Sequence, residues 1–372
     1  MKKNQWILGL VVLVALVALA FWARTRIHFD FHVFASQVSQ ANWTKIAIGL
    51  VCIYANFVFR AFRWSRLIRH TQKVPPLSLL GTQVIGFTAV ALIGRVADPV
   101  RPYLVSRKTG LDLSSQIAVY IVERLIDAGS MALIFSIAMI WVPGELILSA
   151  TAHLPLAHLA PHNQNLALFG ARFGGLVLTL LGTLFLFAVR LAGGTVATIS
   201  ERVFGMISKN LGQAIAQKIR TFHSGLDTMR SFSDFLYVAG LSLSMWLLIA
   251  FAYFETCQAF SSSPELASIT FPKCVLLMIA SGTASVIQLP VIGWFSQIGL
   301  VAVALSGILG AKIEAATACA AMLLLVTFLG IVPAGLIWAQ FEHVSLRKVT
   351  IESEHAEEDL ESKERSDSAV AP

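Results

Sequence analysis

Three ionisable side chains stand close together in an otherwise apolar stretch, Tyr120-Ile121-Val122-Glu123-Arg124-Leu125-Ile126-Asp127. On a helix, Glu123 and Asp127 are four apart and share a face, while Arg124 lies three before Asp127 and can pair with it. The run from Leu113 to Trp141 is apolar enough to cross a bilayer, with Asp112 or Ser114 as its N-cap. Glu123 then lies roughly 15 Å from the helix start, near the middle of a hydrocarbon core about 30 Å thick. Charges at that depth are costly, so they mark either a polar path for a charged group or a buried ion network that fixes helix packing. A second set, Arg95, Asp98 and Arg101, is spaced by threes in a glycine-containing segment. Its guanidiniums suit a phosphate, which they can grip through charge-assisted hydrogen bonds. The carboxylates would orient them or meet a cationic headgroup. If the segment is shallow, the same three residues are surface charges.

The elements that must hold these groups are membrane elements. Hydrophobic residues make up 56% of the 372-residue chain and charged residues 13%, with a mean hydropathy of +0.73, far from the balance of a soluble domain. Apolar runs at 6–22, 46–59, 113–141, 166–189, 235–254 and 315–338 approach the length of a bilayer crossing. The first follows Lys2 and Lys3 and lacks a small-x-small cleavage site, so an uncleaved span is expected there. The net charge of +7 sits in short loops rather than in a patch, which argues for lipid headgroups and against nucleic acid. Cys52, Cys257, Cys274 and Cys319 form no CxxC pair, and packing accounts for them. His153, His158 and His162 share a loop broken by Pro155 and Pro161, so polar decoration is expected there in preference to a metal site.

Basic residues set the orientation. With Lys2 and Lys3 inside, Arg60, Arg63, Arg66, Arg69 and Lys73 form an inner loop after the second span. If 77–93 crossed completely, the basic stretch from Arg190 to Arg230 would fall outside, so a re-entrant hairpin is expected, turning near Gly94 to Pro102 and returning at Arg107 and Lys108. Irregular backbone at that depth needs protein or a water-filled cavity around it. The segment 274–309, split at Leu289-Pro290-Val291-Ile292-Gly293, is either a second hairpin from the outer side or two spans. The expected fold is an all-α integral membrane protein with six spanning helices and two re-entrant hairpins. The order of segments fits an inverted repeat with halves about 1–190 and 233–341. Residues 192–232 form an amphipathic cytoplasmic linker that lies on the inner leaflet or packs on protein. Residues 342–372 are expected to be a disordered acidic cytoplasmic tail.

The residues Asn56, Arg60 and Arg63-Trp64, then Gly94-Arg95 with Asp98 and Arg101, then Gly110, then Glu123-Arg124-Leu125 with Asp127 resemble the membrane region of the lysylphosphatidylglycerol synthase family, also called the flippase-like domain. The resemblance runs from about Trp6 to Trp338. It departs at Ile93, Ala97 and Asp98, where the family has Pro, Gly and Glu. In the second broken segment the family's Pro-Gly-Gly-x-Gly followed by Glu survives as Pro290, Gly293 and Gln297.

What the resemblance implies is transfer of a lipid headgroup between leaflets of a bacterial-type inner membrane, with both termini cytoplasmic. The substrate would be an anionic or aminoacylated phospholipid or a polyprenyl-phosphate lipid. Arg95, Asp98, Arg101, Glu123, Arg124 and Asp127 would line the headgroup path, supported by Asn56, Arg60, Arg63, Trp64, Pro290, Gly293 and Gln297. No nucleotide-binding loop is present, so transfer would be facilitated or ion-coupled. The rival readings are a membrane-embedded lipid transferase, lysyltransferase-like or associated with glycosyl transfer, and an accessory subunit of such an enzyme. The few acidic residues after Trp338 leave no room for a soluble acyl-transfer domain. No cofactor or metal is expected, and the expected partners are phosphate-bearing lipids and a lipid-modifying enzyme.

Overall fold

The computed structural model describes residues 30–144, 164–206, 232–284 and 292–356, together with 208, 212, 213 and 216. The expected first span, the histidine loop, Pro290 and most of the linker lie outside them. The described residues are helical and contain no strand. In chain order they form α1 (Phe31–Ser39), α2 (Trp43–Ile68), α3 (Leu80–Ile93), α4 (Val100–Thr109), α5 (Leu113–Ile140), α6 (Gln164–Gly205) and α7 (Phe232–Gln258). There follow α8 (Pro264–Ala267), α9 (Phe271–Ala284), α10 (Ile292–Leu309), α11 (Ile313–Thr327), α12 (Val332–Phe341) and α13 (346–356).

Among the described residues, four helical segments are long and apolar enough to cross a membrane: Trp43–Ile68, Pro76–Ile93, Ser233–Gln258 and Ile313–Phe341. Many of their large side chains face outward, among them Val51, Leu247, Leu325 and Ile337, as do Leu180 and Leu184 of α6. In water such surface would aggregate; in a bilayer it is the solvated face. The chain is a multi-pass membrane protein.

α2 shows how sequence and end chemistry set an element. Asn42 caps it, its side-chain oxygen accepting from the Thr44 and Lys45 amides at 3.1 and 3.3 Å. The helix runs on past the apolar run through Arg60 and Arg63 to Ile68. This corrects the expectation of an inner loop beginning at Arg60: both arginines lie within the helix and are buried. α2 and α7 are antiparallel. Lys45 Nζ donates to Gln258 Oε1 at 2.7 Å at one end, and Arg66 meets Asp234 at 2.6 Å at the other.

Residues 80–109 form a helical hairpin. α3 ends where Gly94 takes φ 98, a left-handed conformation that releases the chain into a short 3-10 turn before α4. The two ends of the hairpin come back to one place. A Cβ on Gly81 would lie 2.5 Å from Glu342 Oε1, and Lys108 Nζ lies 2.6 Å from that same atom. Further along, Gly335 packs so closely on Thr88 that a Cβ would fall 1.8 Å from its Oγ1.

α9 and α10 form a second antiparallel pair, joined by Gln297 Nε2 donating to Ser281 Oγ at 2.9 Å. Its base follows α7 and α8, at the end of the molecule where Asn42 donates its backbone amide to the Ala259 carbonyl at 2.8 Å. The first hairpin's base is at the opposite end, beside Glu342. Their tips meet: Trp294 Nε1 donates to the Ala91 carbonyl at 3.3 Å.

The tail expectation is corrected in part. Residues 346–356 are helical rather than disordered. Val349 is buried in a cluster with Ile85, Val100, Leu104 and Ala339, and Tyr103 donates to Glu352 at 3.0 Å. Leu346 and Val349, one turn apart, hold this segment against the hairpin, and its two glutamates are matched by Arg347 and Lys348.

Candidate functional site

The ionic cluster is built from α2, α4 and α5. Arg63 is fully buried on α2, and both of its terminal nitrogens meet carboxylates, Nη1 donating to Asp127 and Nη2 to Glu123. Nη1 also donates to Ser242 of α7 at 2.7 Å. Arg60, one turn earlier, donates through Nε to Asn56 at 3.0 Å and through Nη1 to Glu123 at 3.4 Å. Arg101 of α4 donates to Glu123 at 3.1 Å and to Gln83 at 3.2 Å. Arg124 reaches Glu123 at 3.0 Å and Asp127 at 2.9 Å. A single oxygen of Glu123 thus faces four guanidiniums.

Aromatic faces complete the seats. Phe87 lies between Arg60 and Arg101, whose guanidinium carbons sit 4.5 and 4.6 Å from its ring centre. Tyr120 lies under Arg101 and Arg124 at 4.9 and 5.3 Å. Desolvated cation–π contacts are among the stronger kind. Trp64 is fully buried beneath, its Nε1 donating to Gln116 at 3.0 Å.

Charge does not balance in this cluster. Four arginines meet two carboxylates, Glu123 and Asp127, leaving two positive charges among the six side chains. Adding Arg95 and Asp98 from the hairpin tip leaves that excess unchanged.

Beside the cluster lies a cavity of about 280 Å³. Its wall on the cluster side carries Asn56, Arg60, Arg95, Asp98, Tyr120 and Arg124. The lining contributed by α7, α9, α10 and α11 carries Trp246, Tyr253, Ser281, Gln297 and Thr327, and Phe57, Phe87, Ile249 and Met278 line the rest. The cavity therefore draws on both hairpins and on the spans between them.

The sequence-predicted residues divide into two groups. Asn56, Arg60, Arg95, Asp98, Arg124 and Gln297 line the cavity. Arg63, Trp64, Arg101, Glu123 and Asp127 stand behind its wall as buried structure. Arg101, expected at the hairpin tip, lies in the first turn of α4 against Gly86, where a Cβ would come 2.2 Å from its Cγ. Gly293 is buried near the start of α10. The pairing of Arg124 with Asp127 three residues on is present as expected.

Sequence reasoning missed Ser242, Trp246, Tyr253 and Ser281. The first three lie on one helix at spacings of four and seven, the signature of one face, and that polar stripe in an apolar span was the available signal. Among the described residues no group of three or more His, Cys, Asp or Glu side chains is placed to hold a metal ion.

Among curated proteins, no relative matches this sequence. Residues 6–336 match the family described as Lysylphosphatidylglycerol synthase TM region. That span takes in both hairpins, the arginine–carboxylate cluster and every wall of the cavity, and the chain belongs to this family.

Proposed function

We propose that this protein carries the phosphate-bearing head of a membrane lipid between leaflets, through the cavity at the meeting point of the two hairpins. The observation that carries this reading is the cavity's polarity. One wall bears Arg60, Arg95 and Arg124, backed by a cluster with two excess positive charges, while uncharged side chains close the remainder. A phosphate would take charge-assisted hydrogen bonds from Arg124 and Arg60, with the acyl chains left in the bilayer.

The topology follows from the same reading. Six helices cross the membrane and the two hairpins enter from opposite faces, with both termini cytoplasmic in a bacterial-type inner membrane. The common base of the first hairpin at Glu342 supports this, because a chain entering and leaving at one level does not cross. Opposed broken elements that meet at mid-depth are the arrangement used for alternating access in many transporters.

Arg124 is the side chain best placed to touch the substrate. Its side chain is 41% exposed, whereas Arg63 is wholly enclosed. Purified protein in liposomes should equilibrate an acyl-chain-labelled anionic phospholipid between leaflets without nucleotide, read by chemical quenching of the outer leaflet. Arg124→Ala should slow this by about tenfold or more, the equivalent of one lost charge-assisted hydrogen bond. Identical rates with and without protein across a lipid panel would remove the transport reading. A new lipid product formed from added aminoacyl-tRNA or nucleotide sugar would replace it with the transferase reading.

A further inference from the structure

We propose that the cavity selects a phospholipid head that ends in uncharged hydroxyl groups and discriminates against one that ends in an ammonium, with Gln297 setting the choice. The proposal rests on the anionic-lipid reading above and narrows its substrate class.

The two polar walls differ in kind. The carboxylates of the cluster, Glu123 and Asp127, are buried behind the arginine wall and already receive four guanidiniums. Asp98 lines the cavity on that same wall, in the turn that carries Arg95, where a bound phosphate would sit. A cationic group there would compete with the arginines for the anion. The rest of the polar lining, from α7, α9, α10 and α11, holds Trp246, Tyr253, Ser281, Gln297 and Thr327, carries no charge, and is where a head gripped at its phosphate would place its distal part.

This wall also has hydrogen-bonding capacity that the protein leaves open. Gln297 is 7% exposed. Its amide nitrogen is committed to Ser281, but its Oε1 has no partner among the described residues. Trp246 Nε1 is likewise buried and unpartnered. One acceptor and one donor without a partner among the described residues thus belong to side chains that line the cavity. Hydroxyl groups serve both, since each donates and accepts. An ammonium donates only, so it leaves the indole N–H unmet and brings a charge that no carboxylate on this wall offsets.

Dihexanoyl phosphatidylglycerol and dihexanoyl lysylphosphatidylglycerol provide the test, titrated calorimetrically into the full-length protein in detergent. The first should bind at least about tenfold more tightly, the worth of one satisfied buried polar pair. Gln297→Glu should close or invert that gap by giving the ammonium a counter-charge. Gln297→Leu should weaken phosphatidylglycerol without improving the lysyl lipid, which separates specificity from general damage to the site. Equal or tighter binding of the lysyl lipid to wild type, or an unchanged preference in Gln297→Glu, would overturn the assignment while leaving the phosphate site in place. Silence toward both lipids would remove the phosphate site and the assignment together.

Discussion

The arginine wall and the neutral wall of the cavity solve opposite problems. On the first, nearly every charge is spoken for: Glu123 and Asp127 bind Arg63, and Arg60 and Arg101 each hold Glu123 together with a side-chain amide. On the second, Trp246 and Gln297 have polar atoms that no described residue meets. A charge-paired network in low dielectric is rigid, because releasing an enclosed member strands a charge. An unsaturated neutral wall costs less to leave open and is satisfied when a ligand arrives. Affinity for the phosphate and choice of head can therefore be altered separately, and substitutions across the two walls should have different readouts.

Arg63→Ala should have the largest effect. It leaves two buried carboxylates with one fewer partner each and removes the bond to Ser242. The expected loss is about 3–5 kcal/mol, seen as a lower Tm in detergent and poor yield. Arg63→Lys should recover part of this, since one ammonium does not reproduce a fork reaching two carboxylates. A variant with wild-type Tm that had lost lipid transfer alone would show that Arg63 belongs to the substrate path and would dissolve the division between anchors and ligands.

Docking of the first hairpin comes next. Gly335→Ala would place a methyl group 1.8 Å from Thr88 Oγ1, so α3 and α12 must part. Overpacking of that kind costs about 1–3 kcal/mol. The Tm should fall by less than for Arg63→Ala, and the movement should reach the arginine wall, because Phe87 adjoins Thr88 in the chain. An unchanged Tm would show that the contact between α3 and α12 is loose.

Arg124→Ala should cost little stability. Glu123 keeps three arginines and Asp127 keeps Arg63, and the side chain it removes is partly solvated. Tm should stay within the range of an exposed ion pair, about 1 kcal/mol or less, while lipid transfer falls. If stability and transfer were to fall together, Arg124 would join the anchors.

How much of this was legible in the sequence depends on whether a partner is near in the chain. Glu123, Arg124 and Asp127 were readable because their relation is a helical repeat, and the turn near Gly94 was readable because a glycine interrupting an apolar run is a local signal. Arg60 and Arg63 were read as loop charges because their counter-charges come from α5, some sixty residues away. A hydropathy window cannot see that compensation and ends the span at Phe59, whereas the helix continues to Ile68. The neutral wall was harder still. Ser242, Trp246, Tyr253 and Ser281 are common residues in a membrane span, and only tertiary placement turns them into one surface. The segment 346–356 was misjudged because the acidic residues that follow it outweighed Val349, whose burial depends on α3 and α4 being in place.

The smallest effect is expected at Arg66, which bounds the comparison from outside the cavity. Arg66 meets Asp234 at 2.6 Å and lies over Tyr237 at 5.0 Å, so by distance alone it resembles the buried pairs. Its surroundings differ. The Arg66 side chain is 25% exposed, and Asp234 keeps His70 Nε2 at 2.8 Å when Arg66 is lost. With a second partner in place, Arg66→Ala strands no charge, and the pair sits at the end of α2 and α7 rather than between them. The change in Tm should match at most about 1 kcal/mol, with lipid transfer unaltered. Combining Arg66→Ala with His70→Ala removes two ion-pair partners of a buried carboxylate and should cost more than the two single changes added together. If Arg66→Ala alone destabilised the protein as much as Arg63→Ala, burial and saturation would not be what sets the anchors apart.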